Sequence, residues 1–526
     1  MSSNVFSYTW RLRLGVALAL GISCLTLLGF ANTQKFPRAP SLEELMKALG
    51  EQAQTVSDPL FLFYYKSLEQ HIASKDDAAI VVDFYNLGRF LSMQGSFQLA
   101  IDLYRKGIEI ANHLHDIRAV SENEFAIATV YYRAGQTNLA EESLQNLLKR
   151  LRATDDLLGQ AIVLNNLGAI RNDQGRYADA LKYLFESLEK KTTLGSLDGQ
   201  LATLNNIGFS FTGLREYDKA IEYDKRTIEL SRKLNQPFAE AAGLNNLGET
   251  YLLQGFLDRA LETFQNSAKL ASGAEDRYLE ATALHNAGSV QNLWGEYQEA
   301  VGKLERALTL RRDIKDFRGQ GYTANNLAFS YASRQEFEKA FSYLELSLQI
   351  AREREYRDVE ADALRNLGRT NFFNGKYDAA GSYLSQSLSL SRQIRDRSRE
   401  AKSLRLMGLL SEQQSQSERA IGFLEAALRI QRELEEKFEM TITIFELAKS
   451  YAKTGRCSEA RSLLEELMQI DKALSNRSIR QHRQYLESEF TCQVAKNEMS
   501  RVALPPGGTH VRRGSGSQEV RDAGQP

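Results

Sequence analysis

The feature that most constrains the fold of this chain is a sequence motif that returns every forty residues. Its clearest copy, AIVLNNLGAIRNDQG, occupies residues 161–175. The central letters return as NNIG at 205–208, NNLG at 245–248, HNAG at 285–288, NNLA at 325–328 and RNLG at 365–368. Weaker copies are YNLG at 85–88, FAIA at 125–128, RLMG at 405–408 and FELA at 445–448. A fixed period of this length indicates a solenoid, in which each unit packs on its neighbours.

The composition is that of a folded, mostly helical chain without a basic surface. Its 526 residues include only 7 prolines and 43% hydrophobic residues, which favours helix and argues against general disorder. The 66 lysines and arginines are balanced by 67 aspartates and glutamates. Because nucleic-acid binders usually carry a basic excess or stripe, we expect no nucleic acid among the partners.

Two columns of small residues run through the repeats. One holds alanine at 100, 140, 180, 220, 260, 300, 340, 380, 420 and 460. The other holds glycine or alanine at 88, 128, 168, 208, 248, 288, 328, 368, 408 and 448. Glycine inside a helix costs about 0.5–1 kcal/mol relative to alanine, so its recurrence predicts a close helix contact without room for a larger side chain. Between the columns lies a glycine suited to a helix C-terminus, such as Gly175. Each unit is therefore predicted to be a helix of about fifteen residues, a tight turn, a second helix and a short polar loop.

These columns resemble the signature of the tetratricopeptide repeat (TPR). The resemblance rests on Leu164, Leu167, Gly168, Gly175, Tyr177, Ala180, Leu184 and Ser187, with their equivalents in the other copies. It covers residues 79–476 as ten repeats. It implies an all-α fold, an α-α solenoid or superhelix of about ten helix pairs with capping helices at both ends.

The sequence departs from the usual TPR in two respects. The usual unit has about 34 residues, and the proline that usually ends its second helix is missing here. Longer helices or loops would absorb both departures, as in the long-repeat branch formed by kinesin light chain and bacterial TPR arrays. HEAT and armadillo units would fit the period but would not explain the small-residue columns.

Beyond the N-terminal residues 1–31, this interpretation divides the chain into four segments. The TPR array spans 79–476, a capping helical hairpin precedes it at 41–78, and a capping helix follows it at 477–499. Residues 500–526, rich in proline, glycine and serine, are expected to be disordered.

Residues 1–31 have the pattern of a signal peptide or an uncleaved signal anchor. Arg11 and Arg13 precede the apolar run 14–30, and Ala31 ends a small-x-small cleavage pattern. In both cases we expect the array outside the cytoplasm, periplasmic, secreted or membrane-anchored. Contact with the membrane is expected only through this segment if it is uncleaved.

Two polar columns on the first helices are the candidate peptide-binding residues. One is led by Asn165 and the other by Asn166, and the predicted site consists of Asn165, Asn166, Asn205, Asn206, Asn245, Asn246, Asn286, Asn325, Asn326, Arg365, Asn366, Arg369 and Arg405. A carboxamide can match both the N–H and the C=O of a peptide unit, so a ladder of asparagines could hold an extended chain by its backbone. This resembles the asparagine ladder inside the TPR superhelix of O-GlcNAc transferase. The alternative is that a column bonds to the neighbouring helix and joins repeat to repeat.

Three arginines would cluster towards the C-terminal third of the groove. Arg365, Arg369 and Arg405 could take an acidic side chain or a terminal carboxylate through forked hydrogen bonds. The alternative is a solvated face on which they pair with local acids such as Asp362 or Glu412.

The two cysteines beyond the signal segment are predicted to form a disulfide. By repeat register Cys457 opens the last second helix and Cys492 closes the helix that follows, so an antiparallel stack would bring them together. An oxidising compartment outside the cytoplasm permits this bond. The alternative is two separate, partly buried thiols.

No catalytic, metal-binding or phosphate-binding motif is present, and we expect no enzyme activity, no metal and no cofactor. The predicted function is a non-enzymatic protein–protein interaction scaffold that binds an extended peptide segment of a partner of unknown identity. One alternative is a TPR sensor that changes shape on binding a ligand or peptide. The other is the binding subunit of a CHAT-protease-type system.

Overall fold

The computed structural model describes residues 40–55 and 58–474, and there every regular element is an α-helix. A hairpin precedes ten helix pairs, in which the first or A helix is odd-numbered and the second or B helix even-numbered. The helices are α1 (Leu42–Thr55), α2 (Pro59–Ser74), α3 (Asp77–Met93), α4 (Phe97–His113), α5 (Ile117–Arg133), α6 (Thr137–Ala153), α7 (Leu157–Asp173), α8 (Tyr177–Thr193), α9 (Leu197–Gly213), α10 (Tyr217–Lys233), α11 (Pro237–Leu253), α12 (Leu257–Gly273), α13 (Arg277–Trp294), α14 (Tyr297–Asp313), α15 (Phe317–Ser333), α16 (Phe337–Glu353), α17 (Arg357–Phe373), α18 (Tyr377–Gln393), α19 (Arg397–Gln413), α20 (Ser417–Glu433), α21 (Lys437–Lys453) and α22 (Cys457–Leu474).

Each repeat consists of two helices of nearly equal length. From α3 to α21 every helix has 17 residues except α13, which has 18, and two or three residues connect each helix to the next. The extra length relative to a usual TPR unit therefore lies in the helices. The connection between repeats, predicted as a polar loop, is as short as the turn within a repeat.

Each connection reverses the chain at a residue in the left-handed conformation. Within most repeats this residue is the predicted glycine, at 95, 135, 175, 255, 295, 375 and 455, all with φ between 70° and 86°. Between repeats it is usually a charged or polar residue, at 75, 115, 155, 235, 275, 315, 355, 395 and 435. Such a residue costs roughly 1–2 kcal/mol more than glycine in this conformation, which the stacked helices on either side must offset.

An aspartate marks the start of most A helices. Its side chain accepts a hydrogen bond of 2.9–3.1 Å from the backbone N–H three residues later, in six repeats at 76, 116, 156, 276, 316 and 396. An N-cap of this kind satisfies one of the free N–H groups of the first turn. These caps fix where six of the ten A helices begin.

The small-residue columns lie where an A helix meets its B helix, as predicted. All ten alanines of the first column have 0% exposed surface. A Cβ on Gly168 would lie 2.5 Å from the Leu184 Cγ and 3.3 Å from the Ala180 carbonyl oxygen. Similar contacts recur at Gly288, Gly368 and Gly408. The glycine is therefore required by the approach of the two helices.

The described part of the chain divides into two compact units, unit 1 up to residue 250 and unit 2 from residue 251. In unit 1 the helices α1–α10, and in unit 2 the helices α12–α22, pack on one another in order as an α-α solenoid. In unit 1, α1 and α2 lie within the predicted hairpin, and α2 packs on α3. No helix within 40–55 and 58–474 is long and apolar enough to cross a membrane. The segments 1–31, 477–499 and 500–526 lie outside the described residues.

Candidate functional site: the face formed by the A helices

The candidate site is the surface formed by successive A helices within a unit, here called the A-helix face. Within α3–α10 and within α12–α22, consecutive A and B helices pack on each other, and successive A helices also contact each other, for instance α7 with α9 and α15 with α17. Side chains at equivalent positions therefore form columns that cross the repeats. The predicted asparagines and arginines all lie in these columns.

In unit 1 the predicted asparagines join neighbouring A helices through buried hydrogen bonds. Asn165 Oδ1 accepts hydrogen bonds from Thr203 Oγ1 at 3.0 Å and from Asn206 Nδ2 at 3.2 Å. One repeat later, Asn246 Nδ2 donates in the same way to Asn205 Oδ1 at 3.0 Å. All five residues are at most 4% exposed. These hydrogen bonds join repeat to repeat, which is the alternative role considered for the columns.

Two further hydrogen bonds extend this network. Asn172 Nδ2 donates to the backbone oxygen of Asn206 at 3.1 Å. From the B helix α8, Lys191 Nζ donates to Thr203 Oγ1 at 2.6 Å. Lys191 is only 4% exposed and has no carboxylate within ion-pair distance among the described residues. A buried ammonium group thus begins the chain of hydrogen bonds that reaches the asparagine column.

Unit 2 contains an equivalent network three repeats later. His285 takes the place of Asn165, with Thr323 Oγ1 3.2 Å from its Nδ1 and Asn326 Nδ2 3.3 Å from its Nε2. Arg311 takes the place of Lys191 and donates from Nη1 to Thr323 Oγ1 at 3.0 Å. Burial and the charge of Arg311 lower the pKa of His285 well below its usual value, so the imidazole is neutral.

The other predicted asparagines are covered to different degrees. Asn166 Nδ2 donates to the Ile162 oxygen of its own helix at 2.8 Å, and Asn245 Nδ2 donates to Glu249 Oε1 at 3.2 Å. Asn325 and Asn366 are buried, and Asn286 is half-buried.

Three buried carboxamide atoms of the predicted asparagines have no hydrogen-bond partner among the described residues, namely Asn205 Nδ2, Asn206 Oδ1 and Asn325 Oδ1. Peptide binding through the asparagines stays a prediction. It would have to compete with the hydrogen bonds between repeats.

The three predicted arginines of unit 2 differ in their partners. Arg365 Nη1 donates to Asp362 Oδ1 at 2.6 Å, and Arg399 Nη2 lies 3.0 Å from Asp362 Oδ2. Arg405 Nη2 lies 4.0 Å from Glu439 Oε2, while its buried Nε has no partner. Burial acts to raise the pKa of Glu439, but Lys402, Arg405 and Arg365 outweigh it and the pKa is lowered. The neighbouring acids are therefore ionised and already engaged.

Arg369 is the arginine without an acid. It makes no hydrogen bond or ion pair with the described residues, and its guanidinium carbon lies 3.6 Å from the ring centroid of Phe329 and 5.4 Å from that of Phe373. Phe329 in turn packs against Tyr297 with 6.3 Å between ring centroids. Burial, with Arg405 and Arg365, lowers the pKa of Arg369 to about 9, opposed by Tyr297 and Glu439. A guanidinium stacked on a ring keeps its N–H groups free at its edge for a carboxylate.

The aromatic residues beside Arg369 were not among the predicted site residues. Phe329 and Arg369 occupy the same repeat position, one repeat apart, four residues after the Asn325 column. Comparing residues forty apart at that position would have paired an aromatic ring with a cation. Among the described residues no group of three His, Cys, Asp or Glu side chains could hold a metal ion.

The fold and the columns define an α-helical repeat protein of the solenoid class. Models of the tetratricopeptide repeat match residues 118–193, 239–313, 320–393 and 360–433, and a second such model matches 200–238. The chain belongs to the tetratricopeptide repeat family. No curated protein sequence matches it.

Solved structures with similar folds include three TPR-type proteins. A Rap protein complexed with Competence and Sporulation Factor has a TM-score of 0.52 and 15% identity over 68% of this chain and 98% of that chain. The apo form of the quorum sensor NprR from B. thuringiensis has a TM-score of 0.44 and 16% identity, covering 76% and 99%. A kinesin light chain TPR-like repeat protein from Podosopora anserina has a TM-score of 0.32 and 16% identity, covering 40% and 98%.

Proposed function

We propose that this chain is a non-enzymatic scaffold that binds an extended segment of a partner protein along the A-helix face. The observation that carries the proposal is Arg369, a half-buried guanidinium stacked on Phe329 with no acid of its own. A buried cation without a counter-charge is costly. A carboxylate from a ligand would supply that charge and accept two parallel hydrogen bonds.

The neighbouring charges support a carboxylate at this position. Asp362 serves Arg365 and Arg399, and Glu439 faces Lys402 and Arg405, so none of these acids is left for Arg369. Arg405 contributes a buried Nε–H without a partner. An acidic side chain or the C-terminal carboxylate of a peptide fits this pocket.

The likeness in fold to a Rap protein supports a binding role. That protein's structure is of a complex with Competence and Sporulation Factor. At 15% identity the likeness concerns the fold, and the ligand of this chain is argued from its own residues. The alternatives of a shape-changing sensor and of a CHAT-protease subunit stay predictions.

Short synthetic peptides of randomised sequence, made once with a free C-terminus and once as C-terminal amides, would test the proposal. The wild type is expected to select peptides with aspartate or glutamate, or only those with a free C-terminus, which separates the two sources of carboxylate. Arg369→Gln removes the charge and should weaken selected peptides tenfold or more, because a hydrogen bond to a charged group contributes about 1.5–3 kcal/mol.

Arg357→Gln is the matched control, since Arg357 lies on the same helix with 63% of its side chain exposed. This variant should bind like the wild type. Arg369→Lys keeps the charge but loses the planar fork, and an intermediate loss is expected. Circular dichroism establishes that all variants are equally helical. Equal binding by Arg369→Gln and the wild type would exclude the pocket, and a wild type that selects no peptide would overturn the proposed function.

A further inference from the structure

Tyr104 occupies a position in unit 1 where most repeats have leucine. On the B helices the equivalent residues include Leu144, Leu184, Leu304, Leu344, Leu384 and Leu424. The Tyr104 side chain is 2% exposed, and its ring lies under Gly88, where a Cβ would meet Cε1 at 2.8 Å. The ring thus fills the place of the leucine and carries its hydroxyl group up between the A helices α3 and α5.

Polar groups from both A helices surround this hydroxyl group. Ser92 Oγ of α3 donates to the Arg89 backbone oxygen at 2.9 Å and is near enough to Tyr104 to act on its pKa, and Arg133 Nη1 of α5 lies 3.4 Å from Ser92 Oγ. Burial raises the pKa of Tyr104 well above its usual value, while Arg89 and Arg133 are near enough to oppose that rise. Two guanidinium groups and two hydroxyl groups therefore converge on one point of the A-helix face.

Arg133 has no carboxylate within ion-pair distance among the described residues, and its one hydrogen bond is the long contact to Ser92. Burial lowers its pKa, and only Tyr104 acts in the opposite direction. Two acids on α5 and α7 are engaged elsewhere, since Glu124 pairs with Arg150 and Asp173 accepts a hydrogen bond from Tyr132.

We infer that Arg89, Ser92, Tyr104 and Arg133 form a binding site for an oxyanion on the A-helix face of unit 1. The side chains of Arg89, Tyr104 and Arg133 offer hydrogen-bond donors, and two of them carry a positive charge, which suits a carboxylate or a phosphate. Ser92 Oγ donates to the Arg89 backbone oxygen at 2.9 Å, so its part in the site is to hold Arg133. Tyr104 is the residue that distinguishes this repeat, because its hydroxyl group reaches the face from the B helix. The inference goes beyond the proposed function and does not depend on peptide binding.

Titration with sodium succinate or sodium phosphate against sodium chloride, at constant ionic strength, distinguishes the two anions. The thermal midpoint of the wild type should rise with one or both anions, because a ligand that binds the folded state stabilises it. Binding measured by calorimetry should weaken about tenfold or more in Arg133→Gln and in Tyr104→Phe, which each remove a donor to a charged group. Tyr104→Phe keeps the ring under Gly88, so the fold should persist.

Arg118→Gln is the matched control, because Arg118 lies on the same helix as Arg133 and is 82% exposed. Its anion affinity should equal that of the wild type. The arginine Nε–Hε NMR signal that disappears in Arg133→Gln belongs to Arg133, and it should shift on addition of the effective anion. An unmoved Arg133 signal, or equal affinity in Tyr104→Phe and the wild type, would overturn the inference. Peptide selection through Arg369 is measured separately and can succeed when this test fails.

Discussion

Lys191 shows how burial changes the acid–base behaviour of a single lysine. Its ammonium group is buried beside Thr203 without a carboxylate, and burial lowers its pKa from 10.5 to about 7. Between pH 7 and 10.5 the Lys191 side chain is therefore mostly protonated in the unfolded chain and mostly neutral in the folded chain. Across that interval the free energy of unfolding should rise with pH because of this residue.

The pH dependence can be tested by replacing Lys191 with methionine, which fills a similar volume without a charge. Between about pH 7.5 and 9.5 the wild type should gain stability relative to Lys191→Met by about 1.4 kcal/mol per pH unit. At pH 7 the variant should be the more stable protein. Urea unfolding at several pH values measures both effects.

Lys182→Met is the control for that experiment, since Lys182 lies on the same helix with 78% of its side chain exposed. Its stability should follow that of the wild type across the range. A Lys191→Met curve parallel to the wild type would show that the Lys191 ammonium group is not destabilised by burial.

The arginines of unit 2 illustrate what residue type alone leaves open. Arg365 and Arg369 lie one helical turn apart on α17, and the sequence predicts the same role for both. Asp362 engages Arg365, while Phe329 of the preceding A helix lies under Arg369. The two arginines thus differ in whether an acid is already bound, and this depends on residues of other turns and helices. Because Arg369 has no acid partner, Arg369→Gln is the sharper test of peptide binding.

At the scale of the helix, the glycine column was predictable because its cause is repeated in every unit. A close approach of A and B helices excludes a side chain at Gly168, where a Cβ would lie 2.5 Å from Leu184 Cγ. The aspartate caps have an equally regular signal, an aspartate at 76, 116, 156, 276, 316 and 396. They were not among the predicted features, although their spacing also equals the repeat.

Two glycines inside helices should respond oppositely to alanine. Gly168→Ala must displace Leu184 and should destabilise the protein by about 1–3 kcal/mol, as overpacking does. Gly422 lies inside α20, and a Cβ there would meet no atom within 4 Å. Gly422→Ala should therefore stabilise by up to about 1 kcal/mol through helix propensity. Chemical unfolding of both variants measures the contrast, and equal changes in the same direction would contradict a packing role for Gly168.

At the scale of the whole molecule, Cys457 bears on where the protein functions. Cys457 is disulfide-bonded, and its predicted partner, Cys492, lies outside the described residues. Disulfides persist mainly in oxidising compartments. Export stays a prediction that rests on residues 1–31, and a disulfide at Cys457 would be consistent with it.

Protein isolated from its native source under alkylating conditions should show no free thiol at Cys457, and it should fractionate outside the cytoplasm. Peptide mapping without reduction should recover Cys457 linked to Cys492. Protein purified after cytoplasmic expression with reductant is the control for complete alkylation. Alkylated Cys457 in the native protein would contradict the pairing, and recovery from the cytoplasm would contradict export.

The sequence by itself determined the class of fold. Its period, its small-residue columns and the glycine at each turn indicate a stack of helix pairs, because each unit repeats the same contacts with its neighbours. It also placed the asparagine and arginine columns on the A helices. The forty-residue period also showed that the repeat is longer than a usual TPR unit, and the structure showed that the extra length lies in the helices.

Only the tertiary structure decided which polar atoms are available at the site. Asn165 is engaged by Thr203 and Asn206, whereas Arg369 has an aromatic ring beneath it and no acid beside it. These partners lie about one repeat away in the sequence, and a side chain's column does not reveal what the next helix presents to it. The fold follows from contacts that every repeat shares, and the site follows from contacts in which the repeats differ.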